Sequence, residues 1–346
     1  MTVRFGIVGC GGIARWHAGA IQSIDGASLS AVCDADEARA AAFAREYAVP
    51  CFTDMNDLLG LVDAVCVCTP SGLHAQQAEQ ALLAGKHALV EKPLAITRES
   101  LARVLQAQKT SGALLCAVSQ LRYSPDVAEA KRLIESGALG RILLADLSMK
   151  YWREPAYYES NAWRGTRAMD GGGALMNQGI HGVDLLRFLC GEINHIRAYQ
   201  NTLLHDIETE DALSACFTLA GGGMGALTAA TCAWPGHRRR LEICGSQGSL
   251  TLEEDRLIQL EIKNGPRLEK THDSAHGASD PFNLAFDPHR RQLSAFVEAV
   301  RTGGACMPDG EDAARTLNLI FRIYEAAGGT SLRTICRGGN LPPEIN

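Results

Sequence analysis

Residues 4–14 constrain this chain more than any other segment. An apolar run, Phe5-Gly6-Ile7-Val8, meets a glycine cluster, Gly9-Cys10-Gly11-Gly12-Ile13-Ala14. Apolar residues then recur at helical spacing at Ile13, Trp16, Ala20 and Ile21. A short buried strand that turns through glycine straight into a helix is the start of a strand–helix crossover unit. Each position in Gly9-x-Gly11-x-x-Ala14 has a physical use. Glycine at 9 permits the tight turn, and glycine at 11 lets backbone N–H groups approach a pyrophosphate. Gly12 and Ile13 open the helix, and alanine at 14 allows close helix–sheet packing. The motif is weak alone, and its position between a strand and a helix near the N-terminus supports it.

The next hundred residues repeat the same grammar. Strands are expected at 28–33, 51–52, 64–68, 87–91 and 114–118. Helices are expected at 36–47, after a cap at Asp54, at 74–85 and at 97–111. The run Ala64-Val65-Cys66-Val67-Cys68 shows no polar alternation, as strands buried on both faces do. Such alternation of strand and helix predicts a doubly wound parallel sheet. Ligands bind at the carboxyl ends of its strands, which here carry Gly9, Asp34, Thr69-Pro70, Glu91-Lys92-Pro93 and Ser119-Gln120. Asp34 ends the second strand 25 residues after Gly9. A carboxylate there accepts from both adenosine ribose hydroxyls and repels a 2′-phosphate, which favours NAD over NADP. The competing reading is that Asp34 only caps the following helix, a task that Asp36 could take instead.

From residue 142 onward strands dominate, at 142–151, 193–202, 212–219, 224–233, 239–244, 249–253 and 257–262. Short turns such as Gly245-Ser246-Gln247-Gly248 separate several of them, which suits a largely antiparallel sheet. One helix is expected near 173–189, a long loop over 264–289, and closing helices at 289–302 and 310–328. The fold class read from this is α/β with two domains, 1–121 and 122–346, whose closing helices could pack back on the first. A length of 346 residues agrees, being too great for one ordinary core.

Charge and cysteine usage narrow the partners. A formal net charge of −6 argues against nucleic acid, whose phosphates normally need a basic face. His237-Arg238-Arg239-Arg240 is a local basic run and reads as a solvated strand end. No apolar stretch is long enough to span a membrane, and the N-terminus lacks a signal-peptide pattern. Twelve cysteines are scattered with no Cys-x-x-Cys pair, and they read as small buried hydrophobes in a reducing cytoplasm. No histidine and carboxylate spacing makes a zinc site, so no metal is expected.

Four segments together carry a family resemblance. They are 9–14, Thr69-Pro70-Ser71-Gly72-Leu73-His74, the run from Ala84-Gly85-Lys86-His87 through Glu91-Lys92-Pro93, and Gly171-Gly172-Gly173 through Asn177, His181 and Asp184. The chain resembles the glucose–fructose oxidoreductase/inositol dehydrogenase/MocA family over essentially its whole length. The lysine segment is the most specific of the four. The resemblance implies a Rossmann domain followed by an α/β domain with an open sheet, and the nicotinamide of NAD in the cleft between them. It also implies a sugar, cyclic polyol or sugar-nucleotide substrate and sheet-to-sheet packing into homodimers or homotetramers. By the match, Lys92 is the catalytic lysine and His181 the helix histidine. Many members carry aspartate four residues before that histidine, where this chain has Asn177.

Oxidising a secondary alcohol requires a departing hydride, an acceptor for the hydroxyl proton and support for the developing alkoxide. A histidine, with an unperturbed pKa of ~6.5, suits proton transfer at neutral pH. A lysine can stabilise the alkoxide, and with a lowered pKa it could share the role of base. Asn177 and His181, four apart, share a face on a regular helix, with Asp184 beneath them. Asn177 can fix a substrate by hydrogen bonds but cannot titrate. His17 and His74 are expected to shape the cofactor loops, with Glu91 and Gln120 beside them. In a chain with twenty aromatics, five fall within 151–163. There the resemblance assigns Trp163 and Arg164 to cofactor and substrate, against a plain reading as a packed loop or oligomer contact. Tyr151 and Arg122 complete the substrate candidates, since an arginine suits a carboxylate or phosphate. Two further functions share this fold: a non-catalytic dinucleotide-sensing regulator, and a glycosidase that uses bound NAD transiently.

Overall fold

The computed structural model describes residues 1–269 and 286–328. Its first half comprises β1 (Val3–Val8), α1 (Gly12–Gln22), β2 (Ala27–Cys33), α2 (Glu37–Tyr47), β3 (Cys51–Phe52) and α3 (Met55–Leu59). It continues through β4 (Ala64–Val67), α4 (Ser71–Leu83), β5 (His87–Val90), α5 (Arg98–Ser111) and β6 (Leu115–Ala117). The six strands form one sheet in the order β3-β2-β1-β4-β5-β6, with every pairing parallel. The order reverses between β1 and β4, so the crevice opens beyond the ends of these two strands. Helices cover both faces, so the central strands lack polar alternation, and β4 is buried at all four positions. Local caps mark the helix starts. Asp36 accepts from the Arg39 N–H at α2, Asp54 from Asn56 at α3, and Thr97 with Ser100 forms a reciprocal cap at α5.

A short 3-10 turn, Gln120–Tyr123, leads into α6 (Pro125–Glu135), a helix not anticipated from the sequence. Then come β7 (Ile142–Lys150), α7 (Pro155–Glu159), a wide π-turn at Ala174–Gly179 and α8 (Ile180–Cys190). The remaining strands are β8 (Ile193–Asn201), β9 (Ala212–Leu219), β10 (Met224–Ala230), β11 (Arg240–Gly245), β12 (Gly248–Glu253), β13 (Arg256–Ile262) and β14 (Arg267–Glu269). The second sheet runs β14-β13-β12-β11-β7-β10-β9-β8. Among the described residues β7 pairs in parallel with β10, and the other six ladders are antiparallel. One face lies on α8 and α10 (Gly310–Ala326), burying Leu147, Met149 and Ile243. The other face carries the exposed Leu144, Met224 and Tyr199.

Three sequence expectations shift. The predicted loop over 264–289 contains β14 and the start of α9 (Phe286–Thr302), and its residues 270–285 lie outside the described residues. The strand predicted over 224–233 ends at Ala230. The helix expected over 173–189 is α-helical only from Ile180. α9 returns to the first sheet, where Phe296 packs against Phe5 with ring centroids 6.1 Å apart. Eleven cysteines are free and described, six of them buried. No helix among the described residues is long and apolar enough to cross a membrane.

Candidate active site

A cleft of about 1290 Å³ runs from the carboxyl edge of the first sheet to the helix-covered side of the second. Its cofactor wall is made where parallel strands stop. Gly9 has φ +91°, and a side chain there would meet the Cys68 backbone. Gly11 faces open space, and no side chain caps α1, so the first N–H groups of the helix remain available for an anion. Ala14 is fully buried and packs α1 on the sheet instead of lining the cleft. Asp34 accepts from the N–H groups of Cys10 and Asp36 at 2.8 and 3.0 Å, which points its carboxylate along the rim. Because Asp36 caps α2, Asp34 is not spent on that task. Arg39, which sequence reading missed, sits 3.5 Å from Asp34 and 3.2 Å from Asp36.

The deeper part of this wall is tied together by histidines. His74 lies between the carbonyls of Thr69 and Pro93, at 2.7 and 2.8 Å, and joins two strand-end loops. Thr69 donates to Gln77, and Pro70 precedes α4. His17 meets the Glu91 carboxylate at 2.8 Å. Burial opposes charge on Glu91, but His17, with His289 and Lys92, outweighs it and holds the pKa down to about 2. Gln120 is buried with its Oε1 unpartnered. An uncapped helix start, a glycine facing open space, a rim carboxylate and an orphaned amide oxygen fit a dinucleotide: pyrophosphate, ribose and carboxamide each find a complementary group.

Lys92 crosses to the opposite wall. Its Nζ donates to the Asn177 carbonyl at 2.9 Å. Burial lowers its pKa, and the nearby Arg164 and Arg153 add to this against Glu91 and Asp170. His181 makes no side-chain hydrogen bond among the described residues and borders the cleft. Burial, Lys92 and then Arg239 keep its pKa well below the usual histidine value, so the ring is neutral at pH 7.

The wide turn before α8 explains this layout. The backbone carbonyl of Glu210 would collide with any side chain at residue 173. The buried Glu210 carboxylate accepts from Gly173 and Leu175 at 2.8 and 2.9 Å, and the Tyr324 hydroxyl donates to it. Pinned there, the chain passes through a π-turn, a feature frequent at functional sites. Asn177 then turns its amide to Asp170 at 2.6 Å. Asp170 also accepts from Gly165, and burial raises its pKa. The carboxylate that Asn177 lacks is therefore supplied seven residues earlier, by a residue with no sequence signal beyond its place before the triple glycine.

Three expectations are corrected here. Arg122 does not reach the cleft. It is buried against Asp184 and Asp312, at 2.5 and 2.6 Å, with Phe188 under its guanidinium. Asp184 is accordingly engaged by Arg122 and Thr316 and does not lie beneath Asn177 and His181 in the cleft. The basic run at 237–240 is likewise not all solvated. Arg239 is 5% exposed, faces Glu254 at 3.2 Å and borders the cleft beside Tyr151. Trp163 and Arg164 do line the cleft, with the Arg164 guanidinium 4.1 Å from the Tyr157 ring. Arg153 donates to Trp152 O and to Gln178, which itself donates to Tyr157. No cluster of three metal-ligating side chains exists among the described residues.

Comparison with known proteins agrees with this geometry. Residues 3–119 match the model of the oxidoreductase family with an NAD-binding Rossmann fold, and residues 127–251 match the GFO/IDH/MocA C-terminal domain. An inositol 2-dehydrogenase of Rhizobium meliloti is 28% identical over 92% of this chain and 95% of its own length. A 1,5-anhydro-D-fructose reductase of Ensifer adhaerens is 34% identical over 94% and 96%. The WlbA dehydrogenase of Bordetella pertussis, solved with NADH and UDP-GlcNAcA, superposes with a TM-score of 0.84 at 30% identity, covering 94% of this chain and 95% of that one.

Proposed function

The chain belongs to the GFO/IDH/MocA family of NAD-binding oxidoreductases, and from that premise we propose that it transfers a hydride between NAD and a ring hydroxyl or carbonyl of a sugar, cyclic polyol or sugar nucleotide. The relatives named above act on an inositol and an anhydro sugar, and one is solved with a sugar nucleotide. The observation that carries the reading is one continuous cleft joining the Gly9–Gly12 loop and Asp34 to Lys92 and His181. Bound NAD supplies the hydride acceptor in oxidation and the donor in reduction.

The chain's own residues do the rest. Gly11, Gly12 and Ile13 would hold the pyrophosphate with backbone N–H groups, and Asp34 would accept from the ribose. Neutral His181 takes the hydroxyl proton, and its cationic neighbours drive that proton onward to solvent. Lys92, fixed by the Asn177 carbonyl, donates to the substrate oxygen as negative charge develops. Asn177, Tyr151 and Arg164 position the ring. In reduction the same groups act in the opposite order. The division between cofactor and substrate domains falls at 121/122. A cytoplasmic homodimer or homotetramer is consistent with free cysteines and with the apolar residues on the open face of the second sheet.

Steady-state NADH absorbance with a panel of sugars, cyclitols and sugar nucleotides tests the assignment. Turnover that falls in Lys92→Ala and His181→Ala is expected. NAD binding with no turnover across the panel would overturn it, as would glycoside cleavage without net NADH.

A further inference from the structure

The substrate side of the cleft holds more positive charge than the hydride transfer requires. Arg153, Arg164 and Arg239 stand around the space beside Lys92 and His181. The carboxylates near these four cations are Glu91, Asp170, Glu254 and Asp255. Glu91 is already matched by His17, and Asp170 is held by Gly165 and Asn177. Glu254 faces Arg239 but also accepts from its backbone N–H. With Glu91 matched by His17, Lys92 and Arg164 share Asp170, and positive charge still faces the space where the substrate ring would sit.

Arg239 is the sharper case. Its side chain is 6% exposed, and its Cδ packs by Gly182, the residue after His181. Its Nε and Nη2 are buried without a well-aligned hydrogen bond: Nη2 meets Glu254 as an ion pair at 3.2 Å, and the Tyr151 hydroxyl lies against the guanidinium. A guanidinium carries five donors and cannot shed its charge, so buried N–H groups left unmet are costly. Arg164 repeats the pattern from the other side: its Nε is also buried and unpartnered while its plane stacks on Tyr157 and Trp163. Stacking fixes the plane and leaves the donor edge for a planar anion. Neutral ring hydroxyls would meet some of these donors but none of the charge.

We propose that the substrate carries a carboxylate on or next to the reacting ring, and that Arg239 and Arg164 bind it. This rests on the dehydrogenase reading above. A planar carboxylate accepts two parallel N–H bonds from a guanidinium, which gives both charge balance and orientation. The same group occurs on a free sugar acid and on a nucleotide-linked one.

Matched pairs separate the cases: a hexose against its hexuronate, and a UDP-hexose against the UDP-hexuronate. Initial rates with NAD and calorimetric binding to the protein–NADH complex are both measured. The acid is expected to exceed its neutral partner by about 30-fold or more in kcat/KM. Which of the two acids is preferred tells whether the carboxylate arrives free or nucleotide-linked. In Arg164→Gln and Arg239→Lys that ratio collapses toward one, chiefly through KM. Arg239→Lys keeps a buried cation and guards against a folding failure, which thermal melting checks. Neutral partners used as well as the acids, or a UDP-hexose bound as tightly as the UDP-hexuronate, would overturn the carboxylate site. Acids that bind through both arginines without any oxidation would retain the site and overturn the dehydrogenase reading. No binding and no turnover by any of the four would overturn both.

Discussion

The two walls of the cleft are built by different means. The cofactor wall takes Gly9, Asp34, Thr69 and Glu91 from the ends of successive parallel strands, where the sheet itself delivers them. The substrate wall gathers Arg153 and Arg164 from loops, Asn177 from a π-turn, His181 from α8 and Arg239 from the residue before β11. Backbone and topology shape the first wall, and buried side-chain contacts such as Glu210 with Gly173 shape the second. A single substitution on the cofactor wall therefore removes one of many contacts. On the substrate wall it removes a group with no substitute. Lys92 is the joint, delivered by a strand end on one wall and bonded to the Asn177 carbonyl on the other.

The largest effect tests that joint. Lys92→Ala is expected to lower kcat by about 10³-fold, since it removes the donor to the developing alkoxide. NAD affinity should stay within about threefold, because the N–H groups of the glycine loop and Asp34 are untouched. Turnover within about tenfold of the natural enzyme would break the division of labour between the walls.

His181 comes next. His181→Ala is expected to lower kcat/KM by about 10²-fold, with a changed pH profile. Burial, Lys92 and Arg239 depress the His181 pKa, so the ring stays neutral well into the acid range. The base is present above that depressed value and lost as pH falls through it. The kcat/KM of the natural enzyme should thus remain level on going below pH ~6.5, where an ordinary histidine would already titrate. On the alkaline side, burial lowers the Lys92 pKa, so its charge is lost before the ordinary lysine range is reached. An acid limb centred near 6.5 would show that His181 is solvated and that the substrate wall is not the low-dielectric surface described.

The contrast between the walls also decides what could be read from the sequence. Gly9, Gly11, Asp34, Thr69 and Lys92 were legible because each follows a recognisable strand at a fixed offset, and the cleft includes all five. The parallel sheet was legible for the same reason: its signal is local and repeated. Arg239 was not, because a basic run looks the same whether solvated or folded under a helix, and only the packing by Gly182 distinguishes them. Asp170 was missed because its partner Asn177 lies across a turn whose pitch is set by Glu210, far away in sequence. Arg122 misled because an arginine just past a strand end suits a ligand as well as it suits Asp184 and Asp312.

That last residue gives a prediction in stability instead of rate. Arg122→Ala leaves the buried Asp184 without its cation and Asp312 with Arg187 alone. Breaking one partner of a buried pair costs about 3–5 kcal/mol, which denaturant unfolding would register. The substrate KM should move less than about twofold, as Arg122 is outside the cleft. A selective rise in KM with unchanged stability would return Arg122 to the substrate wall.

The smallest effect lies at the outer rim of the cofactor wall. Arg39 there faces two carboxylates, Asp34 and Asp36, so the rim carries net negative charge. A ribose 2′-hydroxyl is welcome beside Asp34, and a 2′-phosphate is repelled. Asp34→Ser removes the charged acceptor and one of the two carboxylates beside Arg39 at once. NAD affinity should fall about tenfold, the worth of one hydrogen bond to a charged group. NADP affinity should rise, because Arg39 is left with Asp36 alone and its exposed guanidinium can turn to the phosphate. Titration calorimetry with both cofactors measures the two changes together. If NAD weakens while NADP does not improve, Asp34 acts through the loop it holds at Cys10, and the rim's preference is set by geometry instead of charge.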